Sequence, residues 1–161
     1  MVTITPNLWF DGNALEAAQF YVSVFPQATI TRVARYTAAG PGEPGTVVTV
    51  DFELDGQPFT GINGGPHFHF DEAVSFALPC LDQEEADRYW DALTAGGGQE
   101  SQCGWLTDRF GLSWQVYPRE LTDLVSDPDP TRAAAATAAM LGMRRIDLAA
   151  VRAAAEEATP A

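Results

Sequence analysis

The chain has 161 residues, 46% hydrophobic and 19% charged, with 22 acidic against 9 basic residues and a formal net charge of −13. That length suits one ordinary globular domain of roughly 100–200 residues, and the negative field repels phosphate backbones and anionic lipid, so neither nucleic acid nor membrane is an expected partner. No lysine occurs and every basic residue is an arginine, which excludes Schiff-base lysine chemistry and a P-loop lysine.

From the N-terminus, Thr3 to Phe10 alternates, with Thr3, Thr5 and Asn7 on one face and Ile4, Leu8 and Phe10 on the other. Period two with β-branched and aromatic residues predicts a strand. A helix follows over "DGNALEAAQFYVSVFP", capped by Asp11 or Asn13 and stopped by Pro26. "ATITRVARY" and "GTVVTVDFEL" read as strands joined by the Gly/Pro-rich loop "TAAGPGEPG". Asp55-Gly56 is a hairpin turn signal into "QPFTGI".

The order then restarts. "AVSFALPC" predicts a strand, and "LDQEEADRYWDALTAGGG" a helix beginning near Asp82 and ended by glycines 96 to 98. "QESQCGWLTD" holds one or two short strands, "RFG" a turn, and "LSWQVYP" the last strand. The two helices match in outline, a weak internal repeat of about 60 residues. Beyond Arg119, "PRELTDLV" predicts a short helix, "SDPDP" a break, and the alanine-rich stretch from Thr131 one or two further helices with an apolar stripe. No apolar run reaches the ~20 residues needed to span a bilayer, and Cys80 and Cys103 make no disulfide framework. The expected setting is cytoplasmic.

"PNLWFDGNALEAAQFYVSVFP", "VDFELDGQPFTGINGGPHFHFDEAVSF", "CGWLTDRFGLSWQVYP" and "SDPDP…AMLGMRRIDLAA" together resemble the PhnB-like (demethylubiquinone methyltransferase-like) family. That family belongs to the glyoxalase/bleomycin resistance/dioxygenase (vicinal oxygen chelate) superfamily. The resemblance implies an α+β fold of two βαβββ modules, here residues 1–66 and 70–118 of a glyoxalase-like domain 1–118, followed by a helical extension 119–161. It also implies a small-molecule cavity between the sheets and a homodimer. The stretch after Gly98 leaves little room for three full strands.

Metal-dependent members of the superfamily take four ligands, His, Glu or Gln, from the first and last strand of each module. Carried over, those positions hold Thr5 (with Asn7 on the same face), Gly61 or Asn63, Ser75 and Gln115. Neutral oxygen donors without imidazole or carboxylate are a poor set for a transition metal. They suit hydrogen bonding to a small ligand instead, so no cofactor is expected. Trp9 and Trp105 are candidate cavity walls, Tyr117 shares the parity of Gln115, and Trp114, of opposite parity, is expected under the helices.

The only histidines, His67 and His69, fall in the connection between modules. Residues two apart share a face of extended chain, so with Glu72 or Asp71 they form an alternative site for a divalent metal. The competing reading is a solvated linker whose Phe68 and Phe70 pack on the opposite face. Arg35 is a candidate cation for an anionic substrate, or a surface ion-pair partner. Asp108 reads as a turn residue, Cys80 as core, and Cys103 as structural rather than reactive. "AAGPGEPG" leads into a strand, so the glycine-rich strand-to-helix turn of a cofactor-binding methyltransferase is missing from the pattern. Three functions fit: a metal-free small-molecule-binding protein, an enzyme of the same fold with unconventional metal ligands or metal-free chemistry, and an assembly domain acting through its helical tail.

Overall fold

The computed structural model describes residues 2–158, so Met1 and positions 159–161 of the expected extension lie outside the described residues. The chain divides into two compact units, one ending at Phe70 and the other beginning at Asp71.

The first unit runs β1 (Asn7–Phe10), α1 (Ala14–Val24), β2 (Ala28–Arg35), β3 (Val47–Leu54) and β4 (Gln57–Asn63). Its sheet has the order β1-β4-β3-β2, with β1 parallel to β4 and the other pairs antiparallel. One face carries α1. Leu8, Phe10, Val50, Phe52, Leu54 and Phe59 are buried there with Ala14, Ala17, Ala18 and Tyr21 of the helix. Tyr21 stacks on Phe52, and Phe52 on Phe59, with ring centroids 5.9 and 5.4 Å apart. A Cβ at Gly61 would stand 3.2 Å from that of Ala14, so helix and sheet approach closely where β4 carries no side chain.

Two details depart from the sequence expectation. The first strand begins at Asn7 rather than Thr3, and Ile4, expected on the apolar face, is 84% exposed. The Thr60 amide donates to the Pro6 carbonyl. The next donor of that parity would be residue 58, a proline without an N–H, so the ladder stops. Secondly, α1 begins at Ala14 after Asn13, whose side chain makes no capping bond. The Ala14 amide donates instead to Oδ1 of Asn63, 2.9 Å away on β4. The hairpin at Asp55-Gly56 forms as expected: both residues have positive φ, and Leu54 pairs directly with Gln57, the signature of a primed two-residue turn.

The second unit repeats the plan with β5 (Ser75–Cys80), α2 (Gln83–Thr94), β6 (Gln99–Glu100), β7 (Trp105–Thr107) and β8 (Ser113–Pro118). Its order is β5-β8-β7-β6, with β5 parallel to β8. The chain is therefore an α+β protein of two βαβββ modules, with two of the second module's strands cut to two and three residues. Asp82 caps α2 by accepting from the Glu85 amide, while the Glu85 carboxylate accepts from the Leu81 amide. Trp90, Leu93, Leu106, Trp114 and Val116 form the core between α2 and the sheet.

Three helices complete this unit: α3 (Glu120–Val125), α4 (Pro130–Leu141) and α5 (Leu148–Glu157). Leu121, Ala136, Ile146, Val151 and Ala155 form their own core cluster, with Tyr117, Met140 and Met143 packed against it. Asp129 and Asp147 cap α4 and α5. The segment between those helices is tied back to the module. Amides of Cys103 and Gly104 donate to the carbonyls of Met143 and Arg144 (2.9 and 2.8 Å). The Gln83 side chain donates to the Ile146 carbonyl and accepts from the Leu148 amide, both at 2.8 Å. Arg145 pairs with Asp87 and Asp91 of α2.

Candidate functional site

Period two decides which side chains leave the face that α2 covers. Trp114, Val116 and Leu106 are buried toward the helix, so Ser75, Trp105, Gln115 and Tyr117 occupy the opposite face. Register brings them together: Trp105 stands directly across from Gln115, and Tyr117 lies two residues further along β8. Nε2 of Gln115 donates to Oγ of Ser75 at 2.8 Å. That bond uses one amide hydrogen and one serine lone pair. That leaves the Gln115 carbonyl oxygen as an acceptor and the Ser75 hydroxyl hydrogen as a donor on the sheet face that also carries Trp105. Tyr117 packs at the edge of the helical tail.

In the first module the same argument puts Asn7 and Trp9 on the face away from α1, opposite to Leu8 and Phe10. Asn7 is exposed and donates to the carbonyl of Thr5, which precedes β1. Trp9 donates from Nε1 to the Gly65 carbonyl (2.8 Å) and meets Phe68 edge-on at 4.9 Å. A Cβ on Gly64 would fall 2.1 Å from the Trp9 ring, so only glycine lets the chain cross there. Asn63 sits on the other side of the sheet, paired with Phe10 and facing α1. Its Nδ2 donates to the Val47 carbonyl, and its Oδ1 takes the first amide of α1. Both ends of that side chain serve the backbone.

The linker is anchored by its aromatics, Phe68 on Trp9 and Phe70 on Phe10. His67, His69, Asp71 and Glu72 are exposed. Among the described residues no three His, Cys, Asp or Glu side chains come together as metal ligands, the set His67, His69 and Glu72 included.

Asp108 is a turn residue, and a buried one. Its Oδ1 accepts from the Phe110 and Leu112 amides (2.8 and 3.1 Å), and its Oδ2 from Nε1 of Trp114 (3.0 Å). Cys80 is core, and burial, with Glu85 nearby, pushes its thiol up to about 12. Cys103 has φ +57 and Gly104 φ +83, the two central positions of a turn closed by the Trp105 amide on the Gln102 carbonyl (3.0 Å). Arg35 donates to the Gly45 carbonyl rather than to a carboxylate.

A polar row on the first sheet escaped the sequence reading. Asp51 lies between Arg32 and Thr60. It accepts from Nε of Arg32 (3.0 Å) and from the Thr60 hydroxyl (2.8 Å). The available signal was the alternation of "VDFEL", which turns Asp51 away from Phe52.

Comparison with known proteins fits this architecture. The sequence model of the 3-demethylubiquinone-9 3-methyltransferase family matches residues 2–117, leaving the helical extension outside. A putative 3-demethylubiquinone-9 3-methyltransferase, PhnB protein, from Bacillus cereus is 36% identical, with a TM-score of 0.64, covering 71% of this chain and 97% of that one. Protein PA1353 from Pseudomonas aeruginosa shares the fold at 22% identity and a TM-score of 0.58, over 71% of this chain and 95% of its own. No protein of curated function matches. The chain belongs to the PhnB-like 3-demethylubiquinone-9 3-methyltransferase family, whose structures have the glyoxalase/bleomycin resistance fold.

Proposed function

We propose that this protein binds a small, uncharged, partly aromatic molecule on the second sheet, without a metal at the position where relatives of the superfamily hold one. The observation that carries this reading is the Gln115–Ser75 hydrogen bond next to Trp105. A neutral donor–acceptor pair beside an indole can orient a planar ligand through two hydrogen bonds and stacking. Tyr117, two residues along β8 from Gln115, extends the contact set in this reading. Asn63 is assigned to holding α1. The family's methyltransferase name is not adopted as an activity. The glycine-rich segment 40–45 joins two antiparallel strands and opens no helix, and no site residue is assigned to a methyl donor. The resemblance to PhnB-like proteins supports a homodimer, which light scattering on the purified chain tests.

A thermal-shift screen of neutral heteroaromatic amides and phenols tests the binding site. A ligand at one hundred times its Kd adds about 2.7 kcal/mol, roughly 5–10 °C for a chain of this size. Gln115→Ala and Ser75→Ala are expected to abolish that shift while the unliganded Tm moves little. Elemental analysis of protein purified without chelator tests the metal reading. Stoichiometric metal lost in Gln115→Ala, or no ligand that distinguishes the variants from wild type, overturns the proposal.

A further inference from the structure

On the first sheet the pairing of β2 with β3 shifts at two places, between Ile30 and Arg32 and between Ala34 and Arg35, and the first of them places Arg32. Ile30 pairs with Phe52 and Arg32 with Asp51, leaving Thr31 as an extra residue in β2. Without that bulge Thr31 would stand opposite Asp51, and Arg32 would turn toward Val50 and the helix side. The bulge therefore delivers the guanidinium to the face away from α1. Asp51 then holds it by Nε alone, and the other Asp51 oxygen is fixed by the Thr60 hydroxyl. Among the described residues Asp51 is the one partner of Arg32, so both Nη groups remain presented on a side chain that is 70% exposed. Arg32 and Arg35 are also the only arginines among residues 1–70, and both lie on β2. Strand β2 itself carries two arginines and no carboxylate, while Asp51 and Glu53 stand on the neighbouring β3.

We propose that Arg32 is an anion-binding residue for a small organic carboxylate, with Asp51 as the positioning residue that orients its fork. A planar guanidinium with two parallel Nη–H donors matches a carboxylate bidentately. An arginine that merely guards an exposed sheet edge needs neither a bulge to aim it nor a threonine-buttressed carboxylate to hold it. This site stands on the first module alone and is independent of the Ser75–Gln115 reading.

The full chain is titrated with benzoate, phenylacetate and succinate, following the Arg32 Nε–H resonance by NMR. Benzamide and sulfate at matched ionic strength are the controls. A saturable carboxylate-dependent shift, absent with benzamide and weaker with sulfate, is expected in the wild type. Arg32→Gln should weaken the affinity at least about tenfold, read for that variant from the amides of Asp51 and Thr60. Asp51→Asn, which keeps the arginine but loosens it, should weaken binding several-fold with an unchanged amide spectrum elsewhere. Should no carboxylate bind, should sulfate bind as well as benzoate, or should Arg32→Gln bind equally, the proposal is overturned. Arg32 is exposed, so Arg32→Gln is expected to fold. If it does not, Arg32→Lys, which keeps the charge without the fork, decides, with undiminished affinity overturning the bidentate site.

Discussion

The two modules share one strand order and differ in how much sheet they use to achieve it. The first has strands of eight residues in β2 and β3 and fills its helix-facing side with stacked aromatics. The second has two and three residues in the corresponding β6 and β7. It makes up the shortfall with hydrogen bonds from buried tryptophans, Trp114 to Asp108 and Trp90 to Glu100, and with the tail segment docked on its turn and helix. What the βαβββ plan requires is the parallel pair of first and last strands under one helix. The middle strands shrink if other elements supply hydrogen-bond partners and cover.

The sharpest way to break the second module is through its core tryptophan. Trp114→Ala is expected to cost about 3–5 kcal/mol, because it leaves a cavity and removes a donor from the buried Asp108 carboxylate. Chemical denaturation followed by near-UV dichroism measures the loss. The first module should keep its amide protection longer than the second.

Ending the chain after Pro118 removes the acceptors of Cys103 and Gly104 and both backbone partners of Gln83. Four such hydrogen bonds at about 1 kcal/mol each predict a loss of about 4 kcal/mol, before counting the helical cluster. Hydrogen exchange should show the Cys103 and Gly104 amides losing protection while those of β3 and β4 keep theirs. Equal loosening of both modules would refute the compensation argument.

Asn63→Ala tests the first module at a single side chain. It removes the cap of α1 and the bond to Val47, for an expected cost of about 1–2 kcal/mol by urea denaturation. Asn63→Asp keeps the acceptor for Ala14 and should recover part of that loss.

The smallest effects are those of pH. The hydrogen bonds from Arg152 hold the Glu120 carboxyl below its usual value. A carboxyl depressed in the folded state stabilises above its unfolded pKa, and that contribution fades as pH falls through the folded one. Fraying of α5 against α3 below about pH 4.5 is the expected sign, slight because the pair is exposed. At the alkaline end the raised Cys80 thiol acts in the other sense. Its unfolded form ionises near 9.0 while the folded form holds its proton to about 12, so stability falls across that interval. Thiol-reagent labelling at pH 8 should reach Cys103 before Cys80.

Element order, the Asp55-Gly56 hairpin, the Asp82 cap and the burial of Trp114 were all legible in the sequence, since each depends on local chemistry or on uninterrupted period two. Legibility ended where a partner strand intervenes. The start of β1 is set by Pro58, about fifty residues away in the chain, and the cap of α1 by Asn63 rather than Asn13. The placement of Arg32 is illegible for a similar reason: an extra residue at Thr31 shifts the pairing of β2 with β3, so strict alternation along β2 would put Arg32 on the face of Ile30. In the candidate site, Ser75, Gln115, Trp105 and Tyr117 share a face because β5, β7 and β8 run without a bulge through them. That Asp108 is buried and not merely a turn former required knowing where the Trp114 indole points.

The turn at Cys103-Gly104 bears on the order of assembly. Its two amides are satisfied by residues 143 and 144, which leave the ribosome some forty residues after the turn itself. The first module has all its strands once Asn63 is made and can close early, as N-terminal units do during synthesis. The second has all its strands by Pro118, yet its turn at Cys103-Gly104 lacks two acceptors until the segment after α4 arrives. The helical extension thus supplies, late in synthesis, acceptors that this turn finds nowhere within the module itself.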